Sequence, residues 1–308
     1  MTDARHLVHG VFWDGPATPG TPAVLRLQDA AGAFSDLVLD AGTRLGLRVV
    51  TQGRHCLGHH RVHGPSERDH VICPEHAPAE RGHQCGPCFA VDDSRLIHDF
   101  HRGGRVPPGL RAYLMQQHWL YVATFAHGAS KIGTASHLRK GHRLAEQGAV
   151  AARYVARADD GRIVRLLEDL VTRDAGLPQQ IRSTAKAAGI VAPVAALDLE
   201  TRNAVVAGRV RALLGVAGGE GYDVVDEHWR RPGLAGAACT PGLRHPYPHD
   251  LAAGTHGFRL VSLSGSVALV RLDGATLDFV VNLGGLKGRI VELGDHRSPV
   301  PAVQESLF

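Results

Sequence analysis

The sequence predicts an α+β fold, and three observations carry the prediction. Stretches near both ends alternate apolar and polar residues between Gly-containing turns, as in "AVLRLQDA", "SDLVLDAG" and "SLSGSVALVRLDG". That is the period of a half-buried strand. Other segments repeat apolar residues every three to four positions, the clearest being "GRIVRLLEDLVTRDAG", which is the period of an amphipathic helix. A third stretch, rich in Cys, His and Pro, has neither period.

Composition narrows the class. The chain has 308 residues, 44% of them hydrophobic and 21% charged, ordinary values for a globular protein with a real core. No run approaches 18 consecutive apolar residues, so no transmembrane helix and no membrane partner are expected. "MTDARHLVHGVFWDG" has no charged region followed by an apolar one, so no signal peptide is expected and the protein reads as cytoplasmic. The net charge of +4 does not by itself announce a nucleic-acid binder. Between Lys131 and Arg173, however, nine Lys or Arg face five Asp or Glu, and that difference equals the whole net charge. Thirty of the 34 basic residues are Arg, a bias that a GC-rich genome explains without phosphate binding.

The elements follow in order. Residues 1–54 read as a β-rich region, with "RLGLRVVTQG" as one of its strands. Residues 55–105 are the Cys/His-rich segment, with nine of the 20 histidines between His55 and His101 and no strand or helix signal. "VPPGL" marks a break. Residues 118–190 then predict strands over Trp119–Phe125 and Ser130–Ile132, a helix N-capped by Ser136 and stopped at Gly148, a strand at "ARYVARA", and a helix near 162–173 stopped by Gly176. Residues 191–215 hold another helix, from about Leu197 to Leu214. Residues 216–308 are β-rich, with Asp273-Gly274 as a hairpin signal.

The first chemistry lies in the cysteines. Four of the five, Cys56, Cys73, Cys85 and Cys88, fall within 33 residues. Cytosolic thiols stay reduced, which argues against a disulfide framework. Cys85-Gly86-Pro87-Cys88 is a knuckle that turns two thiolates toward one tetrahedral zinc. Cys56 and Cys73 are the simplest second pair. His59 and His76, three residues beyond each, also have ligand spacing and offer a replacement for one Cys. A segment with Pro65, Pro74, Pro78 and Pro87 and no apolar period has no core of its own, and a structural zinc would order it. The rival readings are a redox pair at Cys85 and Cys88, or chance clustering. Cys239 stands alone in "GAACTPG" as a plain thiol.

The second chemistry lies in "HWLYVATFAHGASKIGTASHLRKGHRLAEQGA". Tyr121 sits on the first strand and Lys131-Ile132-Gly133 on the second. Arg143 follows on one helix and Glu168 on the next. This order and spacing resembles the GIY-YIG nuclease domain over residues 118–190, with Trp119-Leu120-Tyr121 and Lys131-Ile132-Gly133 in the places of the two tripeptides. The whole chain, through "KIG…RLAEQGA" and "SLSGSVALVRLDG…VVNLGG", also resembles an uncharacterised bacterial family that joins a cysteine-rich zinc-binding segment to such a domain. The resemblance implies a small central antiparallel sheet with helices, flanked by the zinc segment and the β-rich ends. It further implies that Tyr121 helps to activate water, Arg143 stabilises phosphate and Glu168 holds a catalytic magnesium or manganese. Lys131 stands where the family has its second tyrosine, and no clear counterpart of the family's late asparagine follows Glu168.

Elementary geometry gives the same residues a second footing. Side chains alternate along a strand, so Tyr121 and Lys131 can face one groove from neighbouring strands. Arg139, Arg143 and Glu146 share a helix face. Glu168 borders the apolar stripe of its helix, where a buried carboxylate needs a partner. The plain alternatives are a half-buried strand aromatic for Tyr121, a surface arginine for Arg143, and an ion pair with Arg165 or Arg143 for Glu168. The expected function is a metal-dependent, nuclease-like phosphodiesterase acting on nucleic acid, with a structural zinc site. The other readings are a non-cleaving nucleic-acid binder on the same scaffold, or an enzyme that uses the pocket on a small molecule. Neither oligomeric state nor a DNA or RNA preference is readable from the sequence.

Overall fold

Alternation near the two ends of the chain builds strands that find each other across the whole sequence. The computed structural model describes residues 5–13, 22–98 and 100–300. It opens with β1 (Arg5–Phe12), β2 (Ala23–Gln28), β3 (Phe34–Leu39) and β4 (Arg44–Val49). The Cys-rich segment and the break after it hold β5 (His59–Val62), β6 (Arg68–Val71), α1 (Gly86–Val91) and α2 (Pro108–Leu114). Next come β7 (His118–Thr124), β8 (Ser130–Ser136), α3 (Lys140–Gln147), β9 (Ala151–Ala158) and α4 (Gly161–Ala175). α5 (Ser183–Val191) and α6 (Ala196–Ala217) follow. The last elements are β10 (Tyr222–His228), β11 (Arg244–Pro246), β12 (Gly254–Ser264), β13 (Val267–Arg271), β14 (Asp278–Asn282) and β15 (Ile290–Leu293).

The fold is mixed α+β with several sheets. The largest sheet has nine strands in the order β11-β14-β13-β12-β4-β15-β1-β2-β3. β4 lies between β12 and β15, and β15 pairs with β1, so the N- and C-terminal β-regions form one sheet. The second sheet has four antiparallel strands in the order β10-β9-β7-β8. β10 falls in the late β-rich region of the sequence yet joins this small sheet.

The small sheet is buried on both faces. On one, Leu120, Val122, Ile132 and Val155 pack against Val164, Leu167 and Val171 of α4 and against Ala207, Val210 and Leu214 of α6. On the other, Trp119, Tyr121, Ala123 and Tyr154 join a core shared with the large sheet and with Leu144 of α3. Each fully buried Leu or Val contributes roughly 1.5–3 kcal/mol, so two-sided burial fixes β7 firmly. The helix signals act as expected at most ends. Asp160 caps α4 by accepting from the backbone N–H groups of Arg162 and Ile163. Gly148 and Gly176 end α3 and α4 in left-handed conformation.

Three expectations are corrected. Ser136 does not cap a helix: its hydroxyl accepts from Tyr113 Oη at 3.2 Å, and a 3-10 turn, His137–Arg139, precedes α3. β8 runs to Ser136 rather than stopping at Ile132, because each of its residues pairs with β7. The Cys-rich segment, read as lacking regular structure, contains the β5–β6 hairpin and the short helix α1. Neither is long enough to show a period in the sequence. Among the described residues, no helix is long and apolar enough to cross a membrane.

Candidate active-site cleft and metal centre

The four clustered cysteines meet at one point. Cys56 lies three residues before the β5–β6 hairpin and Cys73 two residues after it, while Cys85 and Cys88 open α1. Their four Sγ atoms lie within 4.8 Å of one another, and all four residues are buried. Cys73 and Cys85 Sγ are 3.9 Å apart, and Gly58 N–H donates to Cys56 Sγ at 3.4 Å. A set of four close sulfurs could hold a metal ion such as zinc. His59 and His76 lie outside this set. His59 is on β5, and the carbonyl of His76 accepts from His55 Nδ1 at 3.1 Å. No other group of three or more metal-ligating side chains occurs among the described residues.

The second site is built on the two strands of "HWLYVATFAHGASKIG". Register places Tyr121 opposite Gly133. A Cβ on Gly133 would stand 2.6 Å from both Cζ and Oη of Tyr121. The tyrosine ring therefore lies flat across the glycine, which explains why the second strand carries Gly there. Lys131 shares that face two residues earlier. Its Nζ donates to the carbonyl of Gln179 at 3.2 Å and sits 5.7 Å from the centre of the Tyr121 ring.

Burial shapes the titration of both groups. It pulls the Lys131 ammonium down to about 8, with Arg143 adding to the shift and Glu168 opposing it. It pushes the Tyr121 phenol up to about 12, against the opposing pull of Arg143. The Tyr121 hydroxyl makes no hydrogen bond of normal geometry among the described residues. A buried polar atom without a partner is uncommon in a folded protein.

The helices bring the charges. On α3 and the turn before it, Arg139 Nη2 donates to both carboxylate oxygens of Glu146, at 2.6 and 2.7 Å. Arg143 lies 3.8 Å from the same carboxylate. On α4, Glu168 is 3% exposed and is paired with Arg165 at 2.5 Å. Tyr121, Lys131, Arg143 and Glu168 all line one open cleft of ≈ 800 Å³. No two of the four are closer than ten residues in sequence.

Sequence reasoning took Arg165 only as a partner for Glu168, and it missed the segment 179–181 altogether. Both line the cleft. The signal for Arg165 was present, since it stands three residues before Glu168 on the same helix face. The segment 179–181 follows α4 as a loop, and nothing local in "PQQI" marks it. No family model matches the chain, and no similar curated protein or solved structure was found.

Proposed function

We propose that the protein is a metal-dependent phosphodiesterase acting on nucleic acid. Its catalytic part is a GIY-YIG-like domain at 118–190, and one structural zinc at Cys56, Cys73, Cys85 and Cys88 steadies the neighbouring segment. The observation that carries this reading is the meeting of Tyr121, Lys131, Arg143 and Glu168 in one open cleft. They come from two strands and two helices, and packing alone gives no reason for a phenol, an amine, a guanidinium and a carboxylate to converge.

The set suits attack on a phosphodiester. Arg143 and Arg165 would oppose the charge that builds on the phosphate oxygens. Lys131, held near 8, is partly neutral at mildly alkaline pH, and its lone pair then accepts the proton of an attacking water. Tyr121, pushed up to about 12, stays a phenol and donates to a phosphate oxygen. A bound divalent cation would add Lewis-acid neutralisation of the phosphate. Magnesium or manganese fits a single carboxylate such as Glu168, because magnesium is commonly held by one or two carboxylates together with substrate phosphates. For Glu168 to ligate, the Arg165 guanidinium must swing off it, and that charge then turns to the substrate. Five unpaired thiols fit a reducing compartment, the cytoplasm.

One observation favours a second reading. The Arg165–Glu168 pair occupies the only carboxylate lining the cleft, as it would in a protein that binds nucleic acid without cutting it. The test is cleavage of labelled single-stranded, duplex and branched DNA and RNA by the wild-type protein. Strand scission with magnesium or manganese, and none with calcium, is the expected result. Tight binding without scission would establish the second reading. Neither binding nor scission would move the cleft to small-molecule chemistry.

A further inference from the structure

The basic surface does not end at the cleft. A second groove of ≈ 990 Å³ opens beside it and shares Thr134, Arg143 and Arg165 with it. Arg139, Arg68 of β6 and Tyr113 of α2 extend its wall. Among the described residues, four arginines line this groove and no carboxylate does. Arg139 and Arg143 are paired with Glu146, and Arg165 with Glu168, from outside the lining. Arg68 is different: its side chain is exposed and makes no hydrogen bond or ion pair with any described residue. Partial burial and the nearby Arg139 work against its charge, while Tyr113 and the carboxylates of Glu146 and Asp92 favour it from a distance. None of these carboxylates reaches Arg68 as an ion pair, so its guanidinium keeps donors for an incoming anion.

The sulfur cluster anchors the hairpin that carries Arg68. β5 and β6 form a hairpin flanked by Cys56, three residues before it, and Cys73, two residues after it, so the sulfur cluster closes it like a clasp. Asp92 and Asp93, just beyond α1, accept from the backbone N–H groups of His60 and Val62. On the other side, a Cβ on Gly109 of α2 would stand 2.1 Å from the carbonyl of Val62, so helix and hairpin touch backbone to backbone. The hairpin is thus fixed between the sulfur cluster and α2, with Arg68 turned to the groove.

We propose that this groove is a phosphate track. A single nucleic-acid strand leaving the cleft passes Arg143, then Arg139, then Arg68, and the hairpin closed by the sulfur cluster clamps it. Tyr113, half-buried beside the arginines, offers a ring on which a base stacks. The substrate class rests on the phosphodiesterase reading; the track itself rests on the arginine lining and on Arg68 making no ion pair with a described residue. Each neutralised single-strand phosphate contributes about −0.7 to the slope of log affinity against log salt.

The experiment measures that slope by fluorescence anisotropy with a labelled single-stranded oligonucleotide, in calcium so that no turnover intervenes. Wild type is compared with Arg68→Gln, Arg68→Lys and, as a charge control on β13, Arg271→Gln. Arg68→Gln should bind several-fold more weakly at moderate salt and lose about 0.7 from the slope. Arg68→Lys should restore the slope, and Arg271→Gln should match wild type. Arg68→Gln with wild-type affinity and slope would overturn the track, even in a protein that cuts. So would an equal loss in Arg271→Gln. An Arg68-dependent slope in a protein that does not cut keeps the track and defeats the phosphodiesterase. Absence of strand binding by the wild type overturns both.

Discussion

The cysteine-rich segment and the cleft segment are neighbours in the chain, and they are held by opposite means. In the first, the buried cluster consists of four sulfurs with Ala77 packed against them, and a small patch around Val62, Leu110 and Leu114 ties the segment to α2. In the second, β7 is buried along its whole length between two large apolar clusters. Chemistry-bearing residues are the scaffold in one segment. In the other, Tyr121 belongs to the core, and Lys131, Arg143 and Glu168 ride on a scaffold that stands without them. Loss of a cysteine should therefore be a folding event, and loss of Arg143 or Glu168 should be a chemical one.

The largest expected effect tests the first half of that contrast. Cys88→Ser, or removal of the metal by a chelator, should release one zinc per chain and unfold the 55–105 segment. Apparent binding energies of structural zinc are about 10 kcal/mol or more, and that energy is folding energy. Hydrogen exchange should then show protection lost at β5 and β6 and kept in the nine-stranded sheet. Purified, metal-replete protein that contains no zinc on elemental analysis would break the comparison at its root.

Arg143→Ala comes next. It should lower the cleavage rate about 10²-fold or more, by analogy with loss of one donor to a developing oxyanion. Its melting temperature should barely move, because Arg143 is half-exposed and lies 3.8 Å from its nearest carboxylate. A variant that melts early with an unchanged rate would assign Arg143 to structure.

Gly133→Ala is the case in which the two halves of the contrast meet. The new Cβ falls 2.6 Å from the Tyr121 ring, inside a well-packed core. It should cost roughly 1–3 kcal/mol of stability as overpacking and also displace the phenol. Denaturant titration and a rate measurement together check it, and a neutral result in both would contradict the described seating of Tyr121.

The smallest effect is in pH. Lys131 titrates near 8 in the folded protein against 10.5 for an ordinary lysine. The unfolded chain thus holds more protons across that window, so stability should rise with pH between about 8 and 10.5 from this group. Cleavage should climb through about pH 8 as the amine becomes neutral. Lys131→Met should remove the rate limb and its own share of the stability slope, leaving the share of Lys186, which burial also pulls down to about 8, and should be no less stable than wild type at pH 7, since it removes a buried cation. A rate limb near pH 8 that survives in Lys131→Met would belong to another group.

The two segments also differ in how far they could be read in advance. Cys85 and Cys88 are legible because two intervening residues suffice to aim two sulfurs at one point. The partners Cys56 and Cys73 follow once the hairpin between them is known, but four-residue strands leave no period to find. The choice of cysteine over His59 and His76 needed three dimensions. In the cleft, Tyr121, Lys131, Arg143 and Glu168 were legible from order and spacing, and the flanking helices from their apolar stripes. Segment 179–181 and Arg68 were not, because their place is set by contacts between distant elements. The same holds for β10, whose alternation marks a strand without saying which sheet it joins.

The central claim is that the cleft performs metal-dependent strand cleavage through Glu168 on a scaffold that does not need it. The most direct measurement compares purified wild type with Glu168→Ala on the best-cleaved oligonucleotide, in magnesium and in manganese, with zinc content and melting temperature recorded on the same samples. The account predicts that cleavage by Glu168→Ala falls to background, while zinc content stays at one per chain and the melting temperature changes by only a few degrees. Equal cleavage by both proteins would contradict it and identify the activity as a contaminant's.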